Sequence, residues 1–371
     1  MGRYGYRVID ADGHVMEPEE VWERFLEPPY REWRPRLIAD NRGVSRYLID
    51  GWFWTTPAGP GVGHPGGTTG GARTEKYKGG SDPRARLADM DLEGIDVAIL
   101  FATVTMGPSA GVLPSRDPGF EAALCRAYNS WVAEYTQADP KRLKAVAVLP
   151  TRNIPEAVKE LARCVERLGF VGAEIPPNSE GRRYPGDPHF YPIYEEAQRL
   201  GVPIFIHPHA GGQIHYVGRE RFDNFFHGHM VAFPFEAMIA VMSVVTEGVL
   251  ERFPGLTIGV LESGVGWVPY WFERMDGHYE KLALLVPNLA RMPSDWARSP
   301  NLVFSCDPDE ATLATVLDWV GDERVMYASD YPHWDARTPD TVKILAGRND
   351  LSEAQKRKVL GENAARIFRL P

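Results

Sequence analysis

Cysteine is scarce in this chain: 371 residues hold three, Cys125, Cys164 and Cys306, far apart in sequence. They make no C-x-x-C pair and no disulfide ladder, which excludes a thiolate zinc knuckle and a disulfide-stapled scaffold. Positive charge is not in excess either. Lys and Arg number 41 against 50 Asp and Glu, a formal net charge of −9. An acidic chain without a Lys/Arg cluster is poorly suited to nucleic acid or an anionic membrane. The opening MGRYGYRVIDADGH has no apolar signal core, and Tyr6 stands where a myristoylation site needs Ser or Thr. No apolar run reads as long enough to span a bilayer, so the cytoplasm is the expected compartment.

What the sequence does have is rhythm. Short apolar runs fall at about 6–10, 96–101, 143–149, 171–175, 203–207, 256–261, 301–305 and 324–328. Between them lie helical stretches at about 83–94, 117–138, 154–168, 188–200, 231–252, 264–285 and 309–320. A last helix is expected over 352–368, opened by a capping box of Ser352 and Gln355. Eight strand-then-helix units imply parallel strands, because each crossover needs a helix. Nearly continuous apolar strands fit a sheet covered on both faces. The expected fold is α/β, a single (β/α)8 TIM barrel spanning 1–371.

Residues 28–82 break the rhythm. They are rich in Gly and Pro, with Trp33, Trp52, Phe53 and Trp54 among them, and read as an insertion after the first strand, a lid over the active-site face. A formal G-x-G-x-x-G match at Gly61, Gly63 and Gly66 has no strand before it and no helix after it, so a dinucleotide site is rejected. The connection 208–230 carries His209, His215, His227 and His229. Trp267, Tyr270 and Trp271 recur at helical spacing and are expected in the core.

Reacting groups of such a barrel sit at the C-terminal ends of its strands. Strand one ends Asp10-Ala11-Asp12-Gly13-His14, strand four at Glu174 and strand five at His207-Pro208-His209. Strand six ends at Glu262, strand seven at Cys306-Asp307, and strand eight at Ser329-Asp330-Tyr331-Pro332-His333. Period-two alternation would put Asp10, Asp12 and His14 on one side. Imidazole mixed with carboxylate suits Zn, Fe, Mn or Co. A lone strand-end His or Asp is more often a rim hydrogen bond or a helix cap, but capping does not explain the whole set.

The segments VIDADGHVMEP (8–18), PIFIHPH (203–209), GVLERFPGLTIGVLESGVGWVPYW (248–271), SCDPDE (305–310), ASDYPHWD (328–335) and ENAARIF (362–368) carry a family likeness. Together they resemble the amidohydrolase superfamily, in the branch that includes aminocarboxymuconate-semialdehyde decarboxylase, and so imply a TIM barrel of the metal-dependent hydrolase type. The resemblance implies a first-strand ligand pair at Asp12 and His14, with a carboxylate where most of the family has His. It implies further ligands at His207 and Asp330, the latter also a base. The departure is Glu262, where relatives usually have a catalytic or metal-binding His; it is expected as a general base or a ligand. His229 is a candidate ligand to a second ion. Glu174 reads as an outer, salt-bridged carboxylate. His333 and Asp335 flank Asp330 and are expected to contact substrate or to orient it, with Asp330, Glu262 and His333 as the catalytic set.

The implied cofactor is a divalent transition metal, Zn, Mn or Fe, or else a dinuclear iron centre. The leading function is hydrolysis or non-oxidative decarboxylation through a metal-activated water or a metal-oriented carboxylate. The alternatives are a non-haem diiron monooxygenase on the same fold, acting on a bulky apolar substrate, and a non-catalytic binding barrel. The expected partners are a small-molecule substrate and a second copy in a homodimer.

Overall fold

The computed structural model describes residues 2–39, 41, 45–53, 78–104, 117–179, 183–208, 216–218, 221–222 and 225–371. Strand β1 is Ile9–His14. The insertion then supplies a separate antiparallel sheet of β2 (Arg36–Ala39), β3 (Ser45–Ile49) and β4 (Trp52–Phe53). Residues 54–77, with the glycine tract and Trp54, lie outside the described residues, as do His209 and His215. The parallel series resumes with β5 (Val97–Phe101), β6 (Leu143–Ala145) and β7 (Ala147–Val148). It continues through β8 (Ala173–Ile175), β9 (Ile204–Ile206), β10 (Ile258–Val260), β11 (Leu302–Cys306) and β12 (Val325–Tyr327).

The hydrogen-bonded order is β1-β5-β6 in one run and β7-β8-β9-β10-β11-β12 in the other. Strands β6 and β7 are one apolar run interrupted at Val146, whose N–H donates to Leu100 O at 3.1 Å. On the other side the segment after β12 meets β1: Asp330 N–H donates to Asp12 O at 2.9 Å and His14 N–H to Tyr331 O at 2.6 Å. Both seams are joined, and eight strand positions form a closed ring.

The crossover helices begin where the sequence provides caps. Asp82, Asp117 and Asn153 each accept from a first-turn N–H, and a proline follows within two residues. Alternation along each strand then sorts its side chains. Ile9, Val97, Ile99, Phe101, Phe205 and Met326 fill the ring, while Ala98, Leu100, Ile204, Ile206, Ile258 and Val260 face the helices. Gly259 is required inside the ring, because a Cβ there would overlap the Phe205 ring. The C-terminal tail closes the far end, with Phe368 stacked on Phe205 at 5.1 Å. That tail keeps the Ser352–Gln355 capping box and passes through a π-turn at Lys358–Glu362.

Two expectations are corrected. Trp267 is buried, but Tyr270 is 59% exposed, because its helix Val268–Leu282 turns that position away from the ring. One helix stretch, Phe226–Thr246, is long and apolar enough by composition to cross a membrane, contrary to the reading of the sequence. Its most apolar window is 56% buried inside the fold, and Glu236 on it accepts from Val217 N–H and Asn178 Nδ2, as suits a core helix.

Candidate active site

The site begins with an irregularity in β1. Pairing with β5 slips between Asp10 and Gly13, so one extra residue is accommodated there. The strand is therefore not evenly alternating: Asp10 stays on the side opposite the ring-facing Ile9, and the slip separates it from Asp12 and His14. Asp10 accepts from Ser329 N–H at 2.9 Å and Ser329 Oγ at 2.6 Å, and pairs with Arg86 Nη2 at 3.8 Å. Gly13 makes room for this, since a Cβ there would overlap the Arg86 guanidinium. Asp12 and His14 are brought together at the rim, with His14 Nε2 3.4 Å from Asp12 Oδ1.

Arg86 ties this end to the eighth strand. Its Nη1 donates to His14 O at 2.9 Å, and its guanidinium lies 4.3 Å from the centre of the Tyr331 ring. Asp330 follows in a left-handed backbone conformation, φ 54°. Glu262, just past β10, has φ 49°. Leu261 already faces the ring interior, so simple alternation would send Glu262 outward; the turned backbone brings it back. Such conformations cost a non-glycine residue on the order of 1–2 kcal/mol and cluster at functional sites.

Two overlapping groups result. Asp12, His14 and His207 form one, and His14, Glu262, Asp330 and His333 the other. His207 Nε2 is 3.3 Å from both Asp12 Oδ1 and Glu262 Oε2. His14 Nε2 is 3.5 Å from Asp330 Oδ1 and 4.0 Å from Glu262 Oε2. His333 Nδ1 is 2.6 Å from Asp330 Oδ1, an ion-pair contact not aligned as a directed hydrogen bond, and 3.7 Å from Glu262 Oε1. Thr103 Oγ1 donates to Val15 O, leaving its lone pairs toward His333 Nε2 at 3.3 Å.

The electrostatics describe a site that wants a cation. Burial opposes charge on Asp12, yet the His207 and His14 imidazoles hold its carboxyl below the usual range. Burial likewise opposes charging His207, but the Asp12 and Glu262 carboxylates outweigh it and push the imidazole up to about 10. Burial, with His333 alongside, holds His14 down. Burial raises Glu262 to about 7, and burial with Glu262 nearby pushes Asp330 well up.

The residues fit a divalent ion on their own geometry. Asp12 Oδ2 and His14 Nε2 belong to side chains 1% and 0% exposed, and neither atom has a hydrogen-bond partner among the described residues. His14 Nδ1 lies 2.7 Å from Ala102 O and His207 Nδ1 2.7 Å from Pro208 O, an arrangement that fixes the ring and turns Nε2 toward a ligand. His14 reaches both groups through that one nitrogen, and one lone pair binds one ion.

Above the groups opens a cavity of about 370 Å³, with Glu262 and Asp330 in its lining. His229 lies in its wall, with Phe233 against its ring at 4.2 Å, and belongs to neither group. Glu174 belongs to neither group and lies buried in β8; among the described residues its two oxygens have no hydrogen-bond or ion-pair partner, contrary to the salt-bridged expectation, and burial pushes its carboxyl up to about 8. Arg86, Thr103 and Ala102 were missed from the sequence. Nothing in their spacing marks them, since only the closed ring brings them to His14 and His333.

A closed ring whose strand ends gather carboxylates and imidazoles around unpartnered donor atoms defines a metal-dependent (β/α)8-barrel enzyme. Residues 9–370 match the family model described as Amidohydrolase, and the chain belongs to that family. Among curated relatives it is 26% identical to the 2-amino-3-carboxymuconate-6-semialdehyde decarboxylase of Dictyostelium discoideum, over 78% of this chain and 77% of that protein. It is 28% identical to the gamma-resorcylate decarboxylase of Rhodococcus jostii, over 77% of this chain and 87% of that one. Among solved structures, the 5-carboxyvanillate decarboxylase of Sphingomonas paucimobilis matches with a TM-score of 0.75 at 24% identity, covering 99% of this chain and 100% of that one. A dihydroxybenzoic acid decarboxylase of Polaromonas, with bound manganese and 2-nitroresorcinol, matches with a TM-score of 0.70 at 22% identity, covering 98% and 97%. The two structural likenesses establish the fold.

Proposed function

We propose that this enzyme removes CO2 non-oxidatively from a small aromatic carboxylate, using one divalent ion, manganese, held by Asp12, His14, His207 and Asp330. The observation that carries the reading is the pair of groups meeting at His14 Nε2 beneath a cavity of substrate size. The bound ion would supply a positive charge that orients the substrate and withdraws electron density from it. The remaining work falls to side chains. When the bond from ring to carboxylate breaks, CO2 leaves and its electron pair stays on the ring carbon, which must take up a proton. Glu262 lines the cavity, and burial raises it to about 7 before an ion binds, which suits an acid that gives up and regains a proton near neutral pH. His333 Nδ1, 3.7 Å from Glu262 Oε1, is placed to return that proton, and its contact with Asp330 fixes the ring. The single shared nitrogen of His14 favours one ion over two, and the decarboxylase relatives lend the diiron oxygenase alternative no support.

The test is CO2 release from a panel of hydroxylated benzoates by the manganese-loaded chain. Release should stop on chelation and return with manganese. Glu262→Gln should keep manganese affinity within about tenfold while lowering kcat by about 10²–10⁴-fold, the range for losing a general acid. Full activity after stripping the metal sinks the proposal, and so does a Glu262→Gln enzyme with unchanged kcat.

A further inference from the structure

Two segments that stood out in the sequence, ESGVGW (262–267) and SCDPDE (305–310), meet beside the ion site. Glu262 and Gly264 both take left-handed backbone, φ 49° and 61°. After them the successive N–H groups of Val265 and Gly266 share one acceptor. Glu310 Oε1 accepts from Val265 N–H at 2.8 Å and from Gly266 N–H at 2.6 Å, and Oε2 accepts from Val265 N–H at 3.1 Å. Paired backbone N–H groups make a seat for an anion, and bonds to a charged oxygen are roughly twice as strong as neutral ones. The same turn is tied at two other points. Glu262 N–H donates to Ser305 Oγ at 3.3 Å, and Trp267 Nε1–H donates to Ser263 O at 3.1 Å and Gly264 O at 3.0 Å. Both glycines are fitted to the seat, since a Cβ on either would stand 3.2 Å from Glu310 Oε1. Glu310 is itself held in place: Arg348 Nη1, on a side chain 11% exposed, donates to Glu310 O at 2.7 Å.

Glu310 belongs to neither group of ion-binding side chains. A glutamate has no preference of its own for the left-handed conformation that Glu262 adopts, so the hold must come from outside the turn. We propose that Glu310 is the positioning residue of Glu262: by filling the Val265–Gly266 donor pair, it keeps the turn in the shape that aims Glu262 at His207 and His333. This rests on the decarboxylase reading only for what Glu262 then does.

Two variants test it. Glu310→Leu removes the acceptor; Gly266→Ala keeps the acid but presses on its Oε1 and on Thr312 Oγ1, and carries the test alone if Glu310→Leu does not fold. In crystals of either metal-free variant, Glu262 should leave the left-handed region and lose its contacts with His207 and His333. The Val265 and Gly266 amides should exchange with deuterium faster than in the parent. Glu310→Gln, whose amide oxygen can still accept both N–H groups, should keep Glu262 in place. Manganese affinity should stay within about tenfold throughout, because the ion-holding residues keep their own supports. On substrate, kcat should fall about 100-fold in Glu310→Leu, as misplacement by roughly an ångström costs. In a Glu262→Gln background the same substitution should cost less than about threefold more, since the work of one carboxyl is not lost twice. Glu262 still against His207 in either variant overturns the proposal, as does a full further loss in the Glu262→Gln background, or manganese affinity falling in step with kcat. Displacement of Glu262 in variants of a chain that releases CO2 from no substrate refutes the decarboxylase reading and leaves the role of Glu310 standing.

Discussion

Arg86 offers the sharpest test of how the two ends of the chain are held around one ion. Its side chain is 2% exposed and faces Asp10, which is fully buried. Replacing it with Met keeps volume and removes three links at once: the pair with Asp10, the bond to His14 O and the stacking on Tyr331. Breaking one side of a buried ion pair costs about 3–5 kcal/mol, because the other charge is left uncompensated. Asp10 keeps its two bonds from Ser329, which places the expected loss toward the lower end, about 3 kcal/mol. The assay is guanidinium denaturation of the metal-free chain for Arg86→Met, Asp10→Asn and the double variant. If the pair is the cause, the double variant loses less than the sum of the two singles by at least about 1 kcal/mol. Manganese affinity is the second readout. Arg86 holds the His14 backbone carbonyl and not its ring, so the expected result is weaker manganese binding through displacement of His14. A loss of stability below about 1 kcal/mol would refute the clamp. Unchanged manganese affinity in a destabilised variant would leave Arg86 a scaffold residue only.

Two further outcomes are expected. Glu174 is protonated in the native protein up to about pH 8, because burial disfavours its charge, whereas an unfolded Glu ionises near 4.3. Its neutral form favours folding, so this contribution falls as pH rises from about 4 to about 8. Metal-free Glu174→Gln should therefore lose on the order of 3 kcal/mol less than the parent between pH 5.5 and 8.5, read from denaturation midpoints; parallel pH curves would dismiss the argument. The homodimer is a proposal, supported by exposed Tyr270, Leu284 and Leu285 along the Val268–Leu282 helix and the turn that follows it. Light scattering should give twice the chain mass, and Leu284→Glu with Leu285→Glu should yield monomer; an unchanged dimer would move the interface elsewhere.

The ring was legible because its strands are buried on both faces and so read as apolar runs at all eight positions, from Ile9 in β1 to Val325 in β12. Asp12, His14, His207, Glu262 and Asp330 were legible for a related reason: in this topology the strand ends converge wherever the strands do. What stayed hidden depends on contacts between distant segments. The slip in β1 that parts Asp12 and His14 from Asp10 has no local signature, since IDADGH alternates as well without it. The backbone turn at Glu262 is equally silent, because Glu carries none of the preference for such a conformation that Gly or Asn would announce. Tyr270 was misread because helical spacing gives the period of a face and not its direction.

That turn at Glu262 bears on the chemistry. On the proposed reading, Asp12 and Asp330 balance the two charges of the ion, and His14 and His207 add none when neutral. A neutral His at the sixth strand would leave that balance intact for an incoming anion. Glu262 adds a negative charge 3.3 Å from His207, unless it is protonated. Before an ion binds, burial raises Glu262 to about 7, so a proton held there would both ease the entry of a carboxylate substrate and serve the ring carbon when CO2 departs. A carboxylic acid can replace an imidazole here only if the fold keeps it buried, and the left-handed backbone that turns Glu262 back into the ring does so.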